Sequence, residues 1–90
     1  MEFLVELIFD ASAVPSTERD ELLQRERETA FELKHTGVIQ RMWRVVDQPA
    51  TVSIWQADDQ ADLERQLARL PLRRFLSART TALANHYLEE

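Results

Sequence analysis

The chain of ninety residues contains no cysteine. Disulfides, thiolate nucleophiles, iron–sulfur ligation and cysteine-type zinc sites are therefore excluded, and the chain is read as cytoplasmic. Gly37 is the only glycine, so Gly-rich phosphate loops and dinucleotide fingerprints are absent and no cofactor of that kind is expected. Lys34 is the only lysine, the arginines are mostly interleaved with acids, and the net charge is −5. Affinity for a polyanion comes mainly from clustered Lys and Arg, which makes nucleic acid an unsuitable partner. The two histidines, His35 and His86, lie far apart in the sequence, and no metal site is expected from them. No basic stretch followed by an apolar segment opens the chain, and no run approaches the roughly 18 apolar residues of a membrane span.

What remains is an ordinary globular composition, 44% hydrophobic and 30% charged. Residues 1–90 are read as a single domain. A chain of this size buries only about two-thirds of its unfolded surface, so association with further copies of itself is an expected supplement.

Phe3, Val5, Leu7 and Phe9 alternate with Leu4, Glu6 and Ile8, the pattern of a strand with both faces largely covered. A helix is expected over Ser16 to Thr36, capped by Ser16 or Thr17 and stopped at Gly37. Val38 to Val46 reads as a second strand, Asp47 to Ala50 as a turn, and Thr51 to Trp55 as a third strand returning antiparallel. Asp58 or Asp59 opens a second helix with Leu63, Leu67 and Leu70 inward, closed by Pro71. Ala78 to Tyr87 suits a last strand. The order β-α-β-β-α-β is that of an α+β, ferredoxin-like fold: a four-stranded antiparallel sheet with both helices on one face. Leu4, Ile8, Met42 and Val46 are then expected on the other face, and a homodimer that pairs sheets would cover them.

The sharpest anomaly lies on the first helix. At roughly 100° per residue, Leu22, Leu23, Ala30 and Leu33 define an apolar face and Glu26 points close to its centre. A carboxylate withdrawn from water costs several kcal/mol unless it is paired, by order of magnitude. Burial in an apolar pocket raises a carboxyl pKa toward the range where it exchanges protons near neutral pH. Glu26 is thus the candidate catalytic acid–base; the plain alternative is an arginine partner that only fixes packing. Arg41 and Arg44 fall on opposite faces of the second strand, and one of them could hold a substrate carboxylate beside a wall supplied by Trp43. His86 is a candidate for the open end of such a pocket. Ser53 lacks the glycine elbow of a hydrolase nucleophile, and is kept only as a candidate lining residue.

Taken together, Arg25-Glu26-Arg27-Glu28, Gly37, Met42-Trp43-Arg44, Leu70-Pro71-Leu72 and a late His86 resemble the muconolactone isomerase family over nearly the whole chain. The resemblance implies the ferredoxin-like fold assembled into dimers and larger rings. It also implies a cofactor-free proton shift that moves a double bond in a small-molecule substrate, an unsaturated lactone. On that resemblance Glu26 matches the acidic helix position and Arg44 the carboxylate-engaging arginine. Where the family continues from Leu-Pro-Leu with an aromatic-proline pair, this chain has Arg73-Arg74-Phe75, which implies an altered pocket rim. Two alternatives are a cofactor-free oxygenase or cyclase of the dimeric α+β-barrel class, and a non-catalytic small-molecule-binding or assembly subunit.

Overall fold

The computed structural model describes residues 1–89. β1 (Glu2–Phe9) lies between two antiparallel neighbours, β3 (Ala50–Gln56) and β4 (Leu76–Leu83), and β2 (Ile39–Arg44) pairs with the outer side of β3. The resulting sheet order is β2-β3-β1-β4. The helices α1 (Arg19–His35) and α2 (Gln60–Leu67) complete the β-α-β-β-α-β sequence. Leu33 of α1 and Leu63 and Leu67 of α2 share one core with Phe3, Val5, Leu7, Ile39 and Trp55, so both helices cover the same face of the sheet. The ferredoxin-like expectation is met.

Each boundary has a local cause. α1 begins later than expected because Glu18 N–H donates to Pro15 O at 3.0 Å, closing a turn that contains Ser16 and Thr17. Glu18 takes the cap position without a side-chain bond. The other end behaves as the lone glycine predicts. Gly37 has φ +84°, its N–H donates to Lys34 O, and Val38 N–H donates to Leu33 O at 3.0 Å, the paired bonds of a Schellman stop. Asp59 caps α2 by accepting from Asp62 N–H at 2.8 Å. That helix ends at Leu67, and Leu70, although buried, lies in the turn beyond it.

Two strand expectations need correction. β4 stops at Leu83, which pairs with Glu2, the first residue of β1, at the end of the β1–β4 ladder. His86 therefore follows the strand rather than ending it. In β2, the register against β3 shifts between Ile39 and Arg41, leaving Gln40 as an extra residue. Strand side chains alternate with period two, so one extra residue exchanges the faces of everything after it. Met42, paired with Ser53, faces the helices, while Trp43, paired with Val52, faces the open side. Met42 was expected on the open face and is not there; Val46 is 80% exposed in the turn after β2. Leu4 and Ile8 do lie on the open face, with Ile8 exposed.

Candidate functional site

The middle of α1 does not close down on the sheet. A cavity of ≈ 330 Å³ remains between them, lined by Leu7 and Phe9 of β1, Thr51 and Trp55 of β3, and Ile39 and Met42 of β2. Glu26, Arg27 and Ala30 of α1 form its opposite wall, and Leu70, Leu72 and Leu76 its third side. Ala30 stands four residues after Glu26, one helical turn on, so a methyl group occupies the place where a larger side chain would fill the space beside the carboxyl.

Glu26 is partly buried, and its carboxylate accepts a hydrogen bond from the Leu72 backbone N–H at 2.9 Å. Burial raises its pKa above the ordinary 4.5, outweighing the Leu72 hydrogen bond, which acts in the opposite direction. No arginine pairs with it: the ion pairs among the described residues are Arg65–Asp62 and Arg69–Glu32. The charge on the apolar stripe is therefore met by a backbone donor and by the cavity, and the arginine partner of the plain alternative is not present. The donor is well placed because Pro71 and Leu72 lie in the turn after α2, where Arg73 N–H to Leu70 O and Phe75 N–H to Leu72 O bring the chain round to β4.

The other candidates scatter. Arg44 pairs in register with Thr51, a cavity residue, so it projects on the cavity side of the sheet at the end of β2, exposed and outside the lining. Arg41 and Trp43 lie on the opposite face, with the Arg41 guanidinium 4.8 Å from the Trp43 ring centroid. The expectation of a Trp43 wall is corrected by the Gln40 bulge, which turns Met42 inward in its place. Ser53 is fully buried beneath the cavity rather than lining it; its Oγ accepts from Trp55 Nε1 at 2.8 Å and donates to Val5 O at 3.2 Å. His86 is exposed, its ring 4.3 Å from that of Tyr87 and its Nδ1 accepting from Leu88 N–H; it does not reach the cavity. Arg73-Arg74-Phe75 forms a single 3₁₀ turn in which Arg73 donates to Leu76 O and Arg74 lies over the Phe75 ring.

Arg27, Met42, Thr51 and the Leu72 N–H line or cap the cavity and are not among the site residues expected from the sequence. Arg27 had a signal, since it neighbours Glu26 at the flank of the apolar stripe. The Leu72 N–H had none, because a backbone donor carries no residue identity. Among the described residues no group of three His, Asp or Glu side chains is placed to hold a metal ion, and no helix is long and apolar enough to cross a membrane.

Residues 1–89 match the family model for muconolactone delta-isomerase. The chain belongs to that family of enzymes. The muconolactone delta-isomerase of Cupriavidus pinatubonensis is 33% identical over 73 residues, covering 81% of this chain and 79% of the relative. That of Rhodococcus opacus is 29% identical over 68 residues, covering 76% and 73% respectively. A crystal structure of muconolactone isomerase superposes with a TM-score of 0.84 at 24% identity, covering 97% of this chain and 92% of the other. The family resemblance carried by the Glu26 helix, Gly37, Met42-Trp43-Arg44 and Leu70-Pro71-Leu72 is thereby established, and the solved structure has the same fold.

Proposed function

We propose that the chain is a cofactor-independent cytoplasmic isomerase of the muconolactone isomerase type, with Glu26 as the proton shuttle on a small unsaturated lactone or related ring compound. The observation that carries this reading is a partly buried carboxyl, its pKa raised by burial, on the wall of a ligand-sized apolar cavity. A carboxylate transferred out of water into such surroundings is a stronger base than a free one. It takes a proton from a ring carbon activated by the adjacent carbonyl, leaving an enolate whose charge is delocalised along the double bond. The same carboxyl, now protonated, returns the proton to the far end of that system, and the double bond moves with no net change in composition. The Leu72 N–H fixes the carboxyl while leaving its other oxygen available to the cavity. Arg44, at the sheet end beside Thr51, adds positive charge near the rim that favours an anionic substrate.

The names of the relatives support the reaction class. The experiment is Glu26→Gln assayed on a panel of unsaturated lactones, with the reaction run in deuterated water and the recipient carbon examined by NMR. The Gln variant keeps the shape and loses the base, and turnover should fall by about 10²- to 10⁴-fold. Full turnover in that variant would remove Glu26 from the reaction, and oxygen consumption by the wild type would replace the isomerase with an oxygenase.

The proposal includes a homodimer formed through the open sheet face. That face carries Leu4, Ile8, Val52, Ile54 and Trp43, and Ile8 and Trp43 are 56% and 45% exposed, which is costly for a small domain in water. Sedimentation of Ile8→Glu should show a smaller species than the wild type; an unchanged mass would place the interface elsewhere.

A further inference from the structure

The cavity beside Glu26 does not end at the helix. Arg27, Ala30, Ile39 and Met42 also line a second, more open cleft of ≈ 450 Å³, which continues between α1 and β2 to Phe31 and Lys34. Among the described residues Arg27 is the only cation lining the cavity, and it stands at the border between the two spaces. Among the described residues neither Arg27 nor Lys34 is within 4.0 Å of a carboxylate. Phe31 is 80% exposed on the helix surface, four residues from Arg27 and three from Lys34, and Met42, 41% exposed, faces the same cleft from the sheet. An apolar channel with unpaired positive charge along one side is complementary to a ligand that is apolar over most of its length and carries a single negative charge.

Size divides the ligand between the two spaces. At about 30 Å³ per water in the liquid, ≈ 330 Å³ corresponds to about eleven liquid-packed non-hydrogen atoms, the bulk of one small ring acid. The cleft then remains for something else. We propose, on the basis of the isomerase reading above, that the substrate is an unsaturated ring acid bearing an apolar substituent. Arg27 holds its carboxylate at the border, the ring enters the cavity beside Glu26, and the substituent lies along the cleft between Phe31 and Met42. Because Arg27 and Glu26 line the same cavity, they act on one molecule: the guanidinium fixes the acid group bidentately, and that anchor sets which ring carbon meets the carboxyl. Arg27 is in this sense a specificity-determining residue, and Phe31 selects for substituent length.

The test uses the full chain and three probes: a five-membered unsaturated lactone bearing a carboxymethyl group, its methyl ester, and the same acid with a butyl group on the ring. Binding is measured by calorimetry and turnover by the position of the double bond. The wild type should bind the acid roughly 10- to 100-fold more tightly than the ester, as a charge-assisted hydrogen bond implies. It should bind the butyl acid about tenfold more tightly than the parent, below the limit of about fourfold per fully buried methylene because the cleft is open. Arg27→Met should reduce the acid-to-ester ratio toward one, Arg27→Lys should restore part of it, and Arg27→Gln serves as a second neutral variant should the Met substitution disturb folding. Phe31→Ser should abolish the butyl preference and leave the acid-to-ester ratio intact. An acid-to-ester ratio that survives Arg27→Met, a butyl acid bound no better than its parent, or no binding of any probe would each overturn the proposal. So would a Phe31→Ser variant whose native mass changes while its ligand preferences do not, which would make the cleft an interface between copies of the chain. Double-bond migration with binding indifferent to Arg27 sinks this inference alone, whereas the full binding pattern without migration sinks the isomerase reading alone.

Discussion

Replacing Glu26 by Ala and by Gln separates what this side chain does for the fold from what it does for chemistry. In the wild type the Leu72 N–H, on a residue only 4% exposed, donates to the Glu26 carboxylate at 2.9 Å. Gln keeps an acceptor oxygen in the same position, so the bond survives and a partly buried charge is removed. Ala deletes the acceptor and leaves the amide without a partner, which costs about 1–3 kcal/mol for a buried donor. For a domain of this length each kcal/mol corresponds to about 4–8 °C in Tm, so the Ala variant should melt roughly 4–24 °C below the Gln variant by circular dichroism. Turnover should fall in both by a similar factor, on the order of 10²–10⁴, because both lack the base. Equal melting temperatures would show that the Leu72 bond contributes nothing. A Gln variant within a few-fold of wild-type turnover would show that proton transfer runs through another group.

The raised pKa of Glu26 fixes the sign of two pH profiles. Its native value lies above the 4.5 of the unfolded chain, so the native state binds the proton more tightly; the stability it contributes is complete below 4.5 and is lost as pH rises through the native value. Urea midpoints should therefore show the wild type losing stability relative to Glu26→Gln across that window, and a pH-independent difference would refute the burial effect. The acid limb of kcat/KM should likewise fall at a pKa above 4.5 and should be absent from whatever activity the Gln variant retains. Ser53→Ala removes the acceptor of the fully buried Trp55 Nε1–H and should lower unfolding free energy by about 1–3 kcal/mol in urea titration. Gly37→Ala should cost about 1–2 kcal/mol by the same titration, a purely backbone effect because an added Cβ meets nothing within 4 Å at φ +84°.

The parts of the fold that local chemistry decides were legible in the chain. The alternation from Phe3 to Phe9, the Gly37 stop and a helix start at Asp58 or Asp59 are each read from a few neighbouring residues, and together they order the elements. Glu26 was legible for a related reason: a charge on an apolar stripe is anomalous whatever the tertiary structure. The positions that depend on pairing were not. Strand two carries no mark of its irregularity in sequence, and nothing in Gln40 announces that it is the extra residue. One bulge moved Trp43 and Arg41 to the open face and brought Met42 to the cavity. His86 lies outside the cavity lining, three residues past Leu83, where the pairing of β4 with Glu2 of β1, some eighty residues earlier in the chain, comes to its end.

The hydrophobic periods of the chain and its one glycine sufficed for the class of fold and for a carboxyl on an apolar stripe, and the resemblance of its motifs to a known family sufficed for the family. These are properties of residue type and short-range spacing, and secondary structure expresses them directly. Only the packed molecule settled what that carboxyl faces. The turn after α2 supplies a backbone donor from forty-six residues away, Ala30 leaves room beside it, and the register of β2 chooses which side chains close the room. Hydrogen-bond partners and cavities are relations between distant segments, so they come into being when the sheet and helices close on one another.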